Sequence, residues 1–265
     1  MTEPSIYISY RPKFSATLAL ALYQRLRAQG GAVYMHAGRA DERDAVDLGQ
    51  IDARTYFLIL LTPALIETLQ ETADPLRREI ERASQQRRVI VPILSNGFSY
   101  RASVLPPILS VLRHNDGVAL TPDTLDQGIA ALSERFSTAH FFGALVPTPA
   151  DQQEVVARRC AAADNFAVPT LDNLRAETLF NHAYQRSRQD HAGRLADYNE
   201  AIRLNPTHAD AHFERGLERR HSGDEVGALH DFETALRLDP AFAQAADYRA
   251  ELRQRLGLPP DASDD

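Results

Sequence analysis

His208 and His212, four residues apart in His-Ala-Asp-Ala-His, have the spacing at which one helix face can hold zinc. The stretch lacks the glutamate of the HExxH pattern and shows no third ligand, so two solvated histidines are the default reading and no metal is expected. Cys160 is the single cysteine. With no CxxC pair it makes neither a zinc ribbon nor a disulfide framework, and it reads as a small buried hydrophobe in a reducing compartment. Ser9 and Ser95 have no GxSxG elbow around them, which argues against a serine hydrolase. Neither a GxGxxG fingerprint nor a P-loop occurs, so neither a Rossmann-type dinucleotide fold nor a phosphate-cradling loop is indicated. Glu79 borders the helical stripe Leu76, Ile80 and Ala83 and faces Arg82 at i+3. From periodicity alone that is a solvated charge contributing about 0.2–0.5 kcal/mol.

The elements that carry these residues follow from two hydrophobic periods. Ile6-Tyr7-Ile8-Ser9-Tyr10 is a short β-branched and aromatic strand. Phe14, Leu18, Leu22 and Leu26 follow at intervals of four until Gly30-Gly31, which predicts an amphipathic helix with a glycine stop. Ala32-Val33-Tyr34-Met35 is a second strand, and Val46, Leu48 and Ile51 imply a weak helix. Tyr56 to Leu61 is a continuous apolar strand of the kind covered on both faces. A two-part helix comes next, its second part starting at Asp74 as N-cap and Pro75 as first helical residue. Val89–Leu94 and Gly117–Leu120 read as strands, and Leu125, Ile129, Leu132 and Phe136 mark a last helix. The expected fold is a flavodoxin-like α/β layer with a five-stranded parallel sheet. Ligands of such sheets sit beyond the carboxyl ends of the strands, here Ser9-Tyr10-Arg11, His36 and Thr62.

Two prolines in Phe-Phe-Gly-Ala-Leu-Val-Pro-Thr-Pro-Ala, residues 141–150, mark residues 139–151 as a linker. Residues 152–257 read as helical, beginning with Gln152–Ala163. Asp-Tyr-Asn-Glu-Ala-Ile-Arg-Leu-Asn-Pro at 197–206 returns as Asp-Phe-Glu-Thr-Ala-Leu-Arg-Leu-Asp-Pro at 231–240, an offset of 34 residues. Gly216, Gly223, Ala228, Phe232, Ala235 and Pro240 fall in the second copy; Tyr198, Ala201 and Pro206 fall in the first. The period and these positions resemble the tetratricopeptide repeat, TPR. Two copies are expected, about 176–206 and 207–240, with the first inter-helix loop one residue shorter. A capping helix at 242–256 and a disordered tail at 258–265 complete the half. Two repeats and a cap fall short of the roughly three needed for a free array, so these helices are expected to lean on residues 152–175 or on the α/β half.

Hydrophobic residues make up 44% of the 265 and charged residues 25%, the composition of a globular chain and not of a disordered or collagen-like one. The longest apolar run, Tyr56 to Ile66, has 11 residues and contains Thr62 and Pro63. A spanning helix needs about 20, so no membrane segment is expected. Met-Thr-Glu-Pro does not open a secretory signal, and a cytoplasmic location is expected. Residues 1–150 hold 15 cationic and 15 acidic residues, whereas residues 151–265 hold 14 against 21 and carry the whole net charge of −7. Neither half is basic enough to expect nucleic acid as a partner.

The first half resembles a TIR domain, the Toll/interleukin-1 receptor homology fold, over residues 4–138. Four pieces carry the resemblance in order: Ile6-Tyr7-Ile8-Ser9-Tyr10-Arg11, Tyr56 to Pro63, Arg77-Arg78-Glu79-Ile80 leading into a helix, and Val89 to Leu94. The resemblance implies an enzyme that hydrolyses or rearranges NAD at the nicotinamide–ribose bond. Glu79 matches the family's catalytic glutamate on the helix after the third strand. Cleavage builds oxocarbenium-like charge on the ribose, which a fixed carboxylate stabilises. NAD is then the substrate, and no cofactor or metal is implied, because the nicotinamide leaving group is activated by its own charge. Arg11 and Arg39 would grip the pyrophosphate as bidentate donors, with Ser9, Tyr10, His36 and Thr62 completing the binding set. TIR–TIR self-association is implied too, with a protein or peptide on the TPR-like helices controlling it in bacterial immune or phage-defence signalling. Three departures from the family pattern stand, the first and last of which favour an alternative, a non-catalytic TIR–TPR scaffold or adaptor. Pro75 stands where catalytic members often carry tryptophan; His36 stands where an acidic residue is common; and the loop Ala37–Ala45 is short and lacks a Pro-Gly turn.

Overall fold

The computed structural model describes residues 4–36, 45–69, 74–95, 98, 107–112 and 117–259. Five strands form one sheet: β1 (Ser5–Ser9), β2 (Ala32–Met35), β3 (Tyr56–Leu61), β4 (Val89–Ser95) and β5 (Val118–Leu120). The order is β2-β1-β3-β4-β5 and every neighbouring pair is parallel. Among the described residues six α-helices accompany it: α1 (Pro12–Ala28), α2 (Ala45–Asp52), α3 (Pro63–Thr68), α4 (Pro75–Gln85), α5 (Leu125–Thr138) and α6 (Ala150–Asp164). The chain is therefore an α/β sheet structure followed by helices alone, the class that the two periods predict.

Strand alternation sorts the core into two faces. Ile6, Ile8, Val33, Met35, Leu58 and Leu60 pack against Leu18, Leu22 and Leu26 of α1 and Leu125, Ile129 and Leu132 of α5. Tyr7, Tyr34, Phe57, Ile59 and Leu61 pack against Ile51 of α2, Leu65 of α3, and Leu76, Ile80 and Ala83 of α4. All six residues of β3 are buried, as a central strand covered on both faces demands. Beyond α1, Gly30 adopts φ 90°, a left-handed conformation open to glycine without a Cβ clash. At the other helix of interest, Asp74 Oδ1 accepts from the Leu76 N–H at 2.8 Å, and Pro75 opens α4.

The compact division of the chain falls between Leu174 and Arg175, so residues 139–149 and α6 belong to the first unit. Arg88 of the α4–β4 turn donates to the Arg54 carbonyl (3.0 Å) and the Ala144 carbonyl (2.7 Å), and the Val146 N–H reaches the Asp52 carbonyl (3.0 Å). Val156 and Cys160 of α6 pack on the Tyr7 face, and the Tyr23 hydroxyl donates to Asp164 (2.9 Å). Burial raises the Cys160 thiol pKa.

The division falls within α7 (Leu171–Gln185), and the second unit holds that helix from Arg175 onward with α8 (His191–Leu204), α9 (Ala209–His221), α10 (Glu225–Leu238) and α11 (Ala243–Arg255). Its geometry is duplicated. Asp190 caps α8 by accepting from the Gly193 N–H (3.0 Å), and Asp224 caps α10 through Gly227 (2.9 Å). Phe180 meets Tyr198 at 5.9 Å and His208 at 4.8 Å; Phe213 meets Phe232 at 5.6 Å and Phe242 at 4.7 Å. Asp197 takes Arg186 and His182, while Asp231 takes Arg219 and Arg215. Among the described residues no helix is long and apolar enough to cross a membrane.

Candidate functional site

Tyr7 and Ser9 lie two apart on β1, so both side chains leave the same face, the one covered by α4. Glu79 meets them there. The Tyr7 hydroxyl donates to Glu79 Oε1 (2.8 Å), and the Ser9 hydroxyl donates to Oε2 (2.6 Å). Glu79 is 1% exposed, inside the buried stripe of α4 and not beside it. Its i+3 neighbour Arg82 turns to Asp52 of α2 instead. A carboxylate away from water is tolerable only when its oxygens are hydrogen-bonded. One hydroxyl on each oxygen meets that condition. The Tyr7 ring is itself fixed, stacked on Phe57 at 5.6 Å and tilted against Tyr34 at 5.7 Å.

β2 repeats the arrangement on a second acid. Tyr7 pairs with Tyr34 in the sheet register, and Tyr34 and His36 are again two apart. Asp47 Oδ1 of α2 receives the Tyr34 hydroxyl (2.6 Å) and lies 3.2 Å from His36 Nδ1. Arg159 Nη1 of α6 donates to the same oxygen at 3.1 Å. Burial and the Asp47 charge push the Tyr34 pKa upward, so the phenol keeps its proton and remains a donor. The sequence reading missed Asp47 and Arg159. A signal was present in the patterns Tyr-x-Ser and Tyr-x-His, which place polar groups at buried alternate positions of two apolar strands.

The other expected residues serve the frame around these acids. Tyr10 points to the opposite face and donates to the His36 carbonyl (2.6 Å), tying the ends of β1 and β2 together. Arg11 precedes α1 and forms an ion pair with Asp74, the N-cap of α4. Thr62 caps α3 by accepting from the Leu65 N–H (3.2 Å). Arg39 and residues 37–44 lie outside the described residues. The structure thus joins Ser9 to Glu79, Tyr10 to His36 and Arg11 to Asp74, and leaves Thr62 in a local cap.

Both histidines of His-Ala-Asp-Ala-His have local roles. His208 Nδ1 accepts from the Ala211 N–H (3.3 Å) at the start of α9, and His212 Nε2 lies 3.1 Å from the Pro206 carbonyl. Burial, with His212 adding to it, pushes the His208 pKa down to about 4. Among the described residues no three His, Cys, Asp or Glu side chains come together as a metal site.

No family model and no curated protein matches this chain.

Proposed function

We propose that the first unit is a TIR-type NAD nucleosidase and that the second is a TPR-like array binding a protein or peptide segment that controls it. The observation that carries the reading is Glu79, held through both oxygens by Ser9 and Tyr7 of the first strand. Ser9 ends its strand at the carboxyl edge, where open α/β sheets bind ligands. The order β2-β1-β3-β4-β5 places that first strand next to the central one, with α4 over its face.

In the reaction, the bond between ribose C1′ and the nicotinamide nitrogen breaks, and its electron pair neutralises the departing ring. Positive charge builds on the ribose, and the Glu79 carboxylate stabilises it. Water adds at C1′ and releases a proton to give ADP-ribose; attack by the adenine of the same molecule gives a cyclic product instead. Rotation of the Ser9 hydroxyl frees Glu79 Oε2 to accept from a ribose hydroxyl while Tyr7 keeps Oε1 in place. NAD is the substrate, and no further cofactor is invoked.

The test is NAD consumption by the purified full chain, dispersed and artificially clustered, against Glu79→Gln. Wild-type turnover and a loss of about 100-fold or more in the variant are expected. Turnover that persists in Glu79→Gln removes the carboxylate from the chemistry. A second reading, a non-catalytic scaffold, is favoured by the 1% exposure of Glu79 and the engagement of Arg11 by Asp74. Absence of turnover in every assembled state decides for it.

A further inference from the structure

The acid beside Glu79 draws one of its partners from far along the chain. Asp47 is 1% exposed, and Arg159 reaches it from α6 across 112 residues of sequence. The same Arg159 nitrogen lies 3.4 Å from the Tyr34 hydroxyl, so one guanidinium touches both members of the shortest of these bonds. A second arginine is near: Arg54 lies over the Tyr34 ring at 5.6 Å and donates through Nη1 to Gln50 at 2.6 Å.

Asp47 collects Tyr34, His36 and Arg159 on a single oxygen, Oδ1. A buried ion pair is seldom more stabilising than apolar packing of the same volume, so stability alone is a poor account of this one. What it does fix is orientation. Oδ1 sets the direction of the Tyr34 hydroxyl and of the His36 ring, and these side chains stand on the strand beside Tyr7 and Ser9. Tyr34 in turn confines the Tyr7 ring that supplies Glu79.

We propose that Arg159 is a positioning residue of the strand-edge site, and that α6 is therefore part of that site although it follows the sheet in sequence. Its kinetic consequence rests on the nucleosidase reading; its geometric consequence does not. Arg159 holds Asp47, Asp47 holds Tyr34 and His36, and the pair of strands then presents Ser9 and His36 in one fixed arrangement at the carboxyl edge.

Three variants of the full chain test this: Arg159→Gln, Asp47→Asn and the double variant. Arg159→Gln leaves a buried acid without this cation and lowers the melting temperature; the double variant removes the charge as well and regains most of it. The kcat for NAD falls by about tenfold or more in Arg159→Gln with KM within about twofold, and stays low in the double variant. Recovery of kcat together with melting temperature in the double variant overturns the proposal, because it makes Arg159 a structural residue only. Wild-type kcat in Arg159→Gln overturns it directly. If the wild type consumes no NAD, the nucleosidase reading fails and proton NMR decides the geometry. The Tyr34 hydroxyl and His36 ring N–H resonances should then shift or broaden in Arg159→Gln, and unchanged resonances overturn the proposal.

Discussion

Asp231 in the second unit and Glu79 in the first are both shut off from solvent, 0% and 1% exposed, yet different partners hold them. Asp231 receives Arg215 on both oxygens, at 2.6 and 3.0 Å, and Arg219 at 2.9 Å. Burial works against its ionisation, but His212 and the two arginines outweigh burial and hold its pKa below the usual carboxylate range. Glu79 receives a phenol and a serine hydroxyl. Guanidiniums clamp a carboxylate in a fixed fork, whereas a serine hydroxyl turns about one bond and can exchange the carboxylate for another acceptor. Asp231 also has a copy, Asp197, in the same position of the duplicated helices, with Arg186 and His182 as its partners. An acid that recurs with its clamp belongs to the architecture of the array. An acid that accepts from a serine at the carboxyl end of a strand has at least one donor that can turn away.

The largest effect expected from this contrast is on stability. Asp231→Ala leaves two arginines without their shared partner and should destabilise the second unit by about 3–5 kcal/mol, read by urea unfolding of the full chain. A loss below about 1 kcal/mol would erase the distinction between the two acids. His208 sharpens the contrast from the basic side, because the array that neutralises its acid also half-buries a base. Its pKa of about 4 lies below that of an unfolded histidine, so the unfolded chain takes up the proton first as pH falls. Stability contributed by the neutral ring is full above pH ~6.5 and declines as pH drops toward ~4, by about 2 kcal/mol given its partial exposure. His208→Phe, which installs the residue found at the matching position Phe242, should flatten that slope; an unchanged slope assigns it to other groups. Ser9→Ala is expected to cost least, about 1–2 kcal/mol for one donor removed from a buried carboxylate. A larger loss would mark Ser9 as a clamp comparable to the arginines and close the proposed route by which Glu79 Oε2 is released.

The sheet was legible where one residue type dominates a whole element. The unbroken run Tyr56–Leu61 could only be a covered strand, and Asp74-Pro75 fixed the start of α4 by capping chemistry. The orientation of Glu79 was not legible. A residue at the border of a helical stripe faces solvent or core according to what stands opposite, and here Tyr7 and Ser9 drew it inward while Asp52 drew Arg82 away. Asp47 and Arg159 were invisible for a related reason. No period connects residues 112 apart, and their meeting depends on where α6 settles after the sheet is complete. The strand-end residues illustrate a third limit. Position and resemblance marked Arg11 and Thr62 but could not show that Arg11 pairs with Asp74 or that Thr62 caps α3.

Arg88 carries a practical consequence for anyone who shortens or digests this protein. Its two acceptors belong to Arg54 and Ala144, and the Phe141 ring covers it at 5.3 Å. Ending the chain at residue 138 would strip away that covering ring and the Ala144 carbonyl, along with Arg159 and Asp164, unsealing the sheet at several points together. A protease that nicks residues 139–149 should therefore loosen the fold it has barely touched, and an isolated sheet fragment is best ended after Leu174.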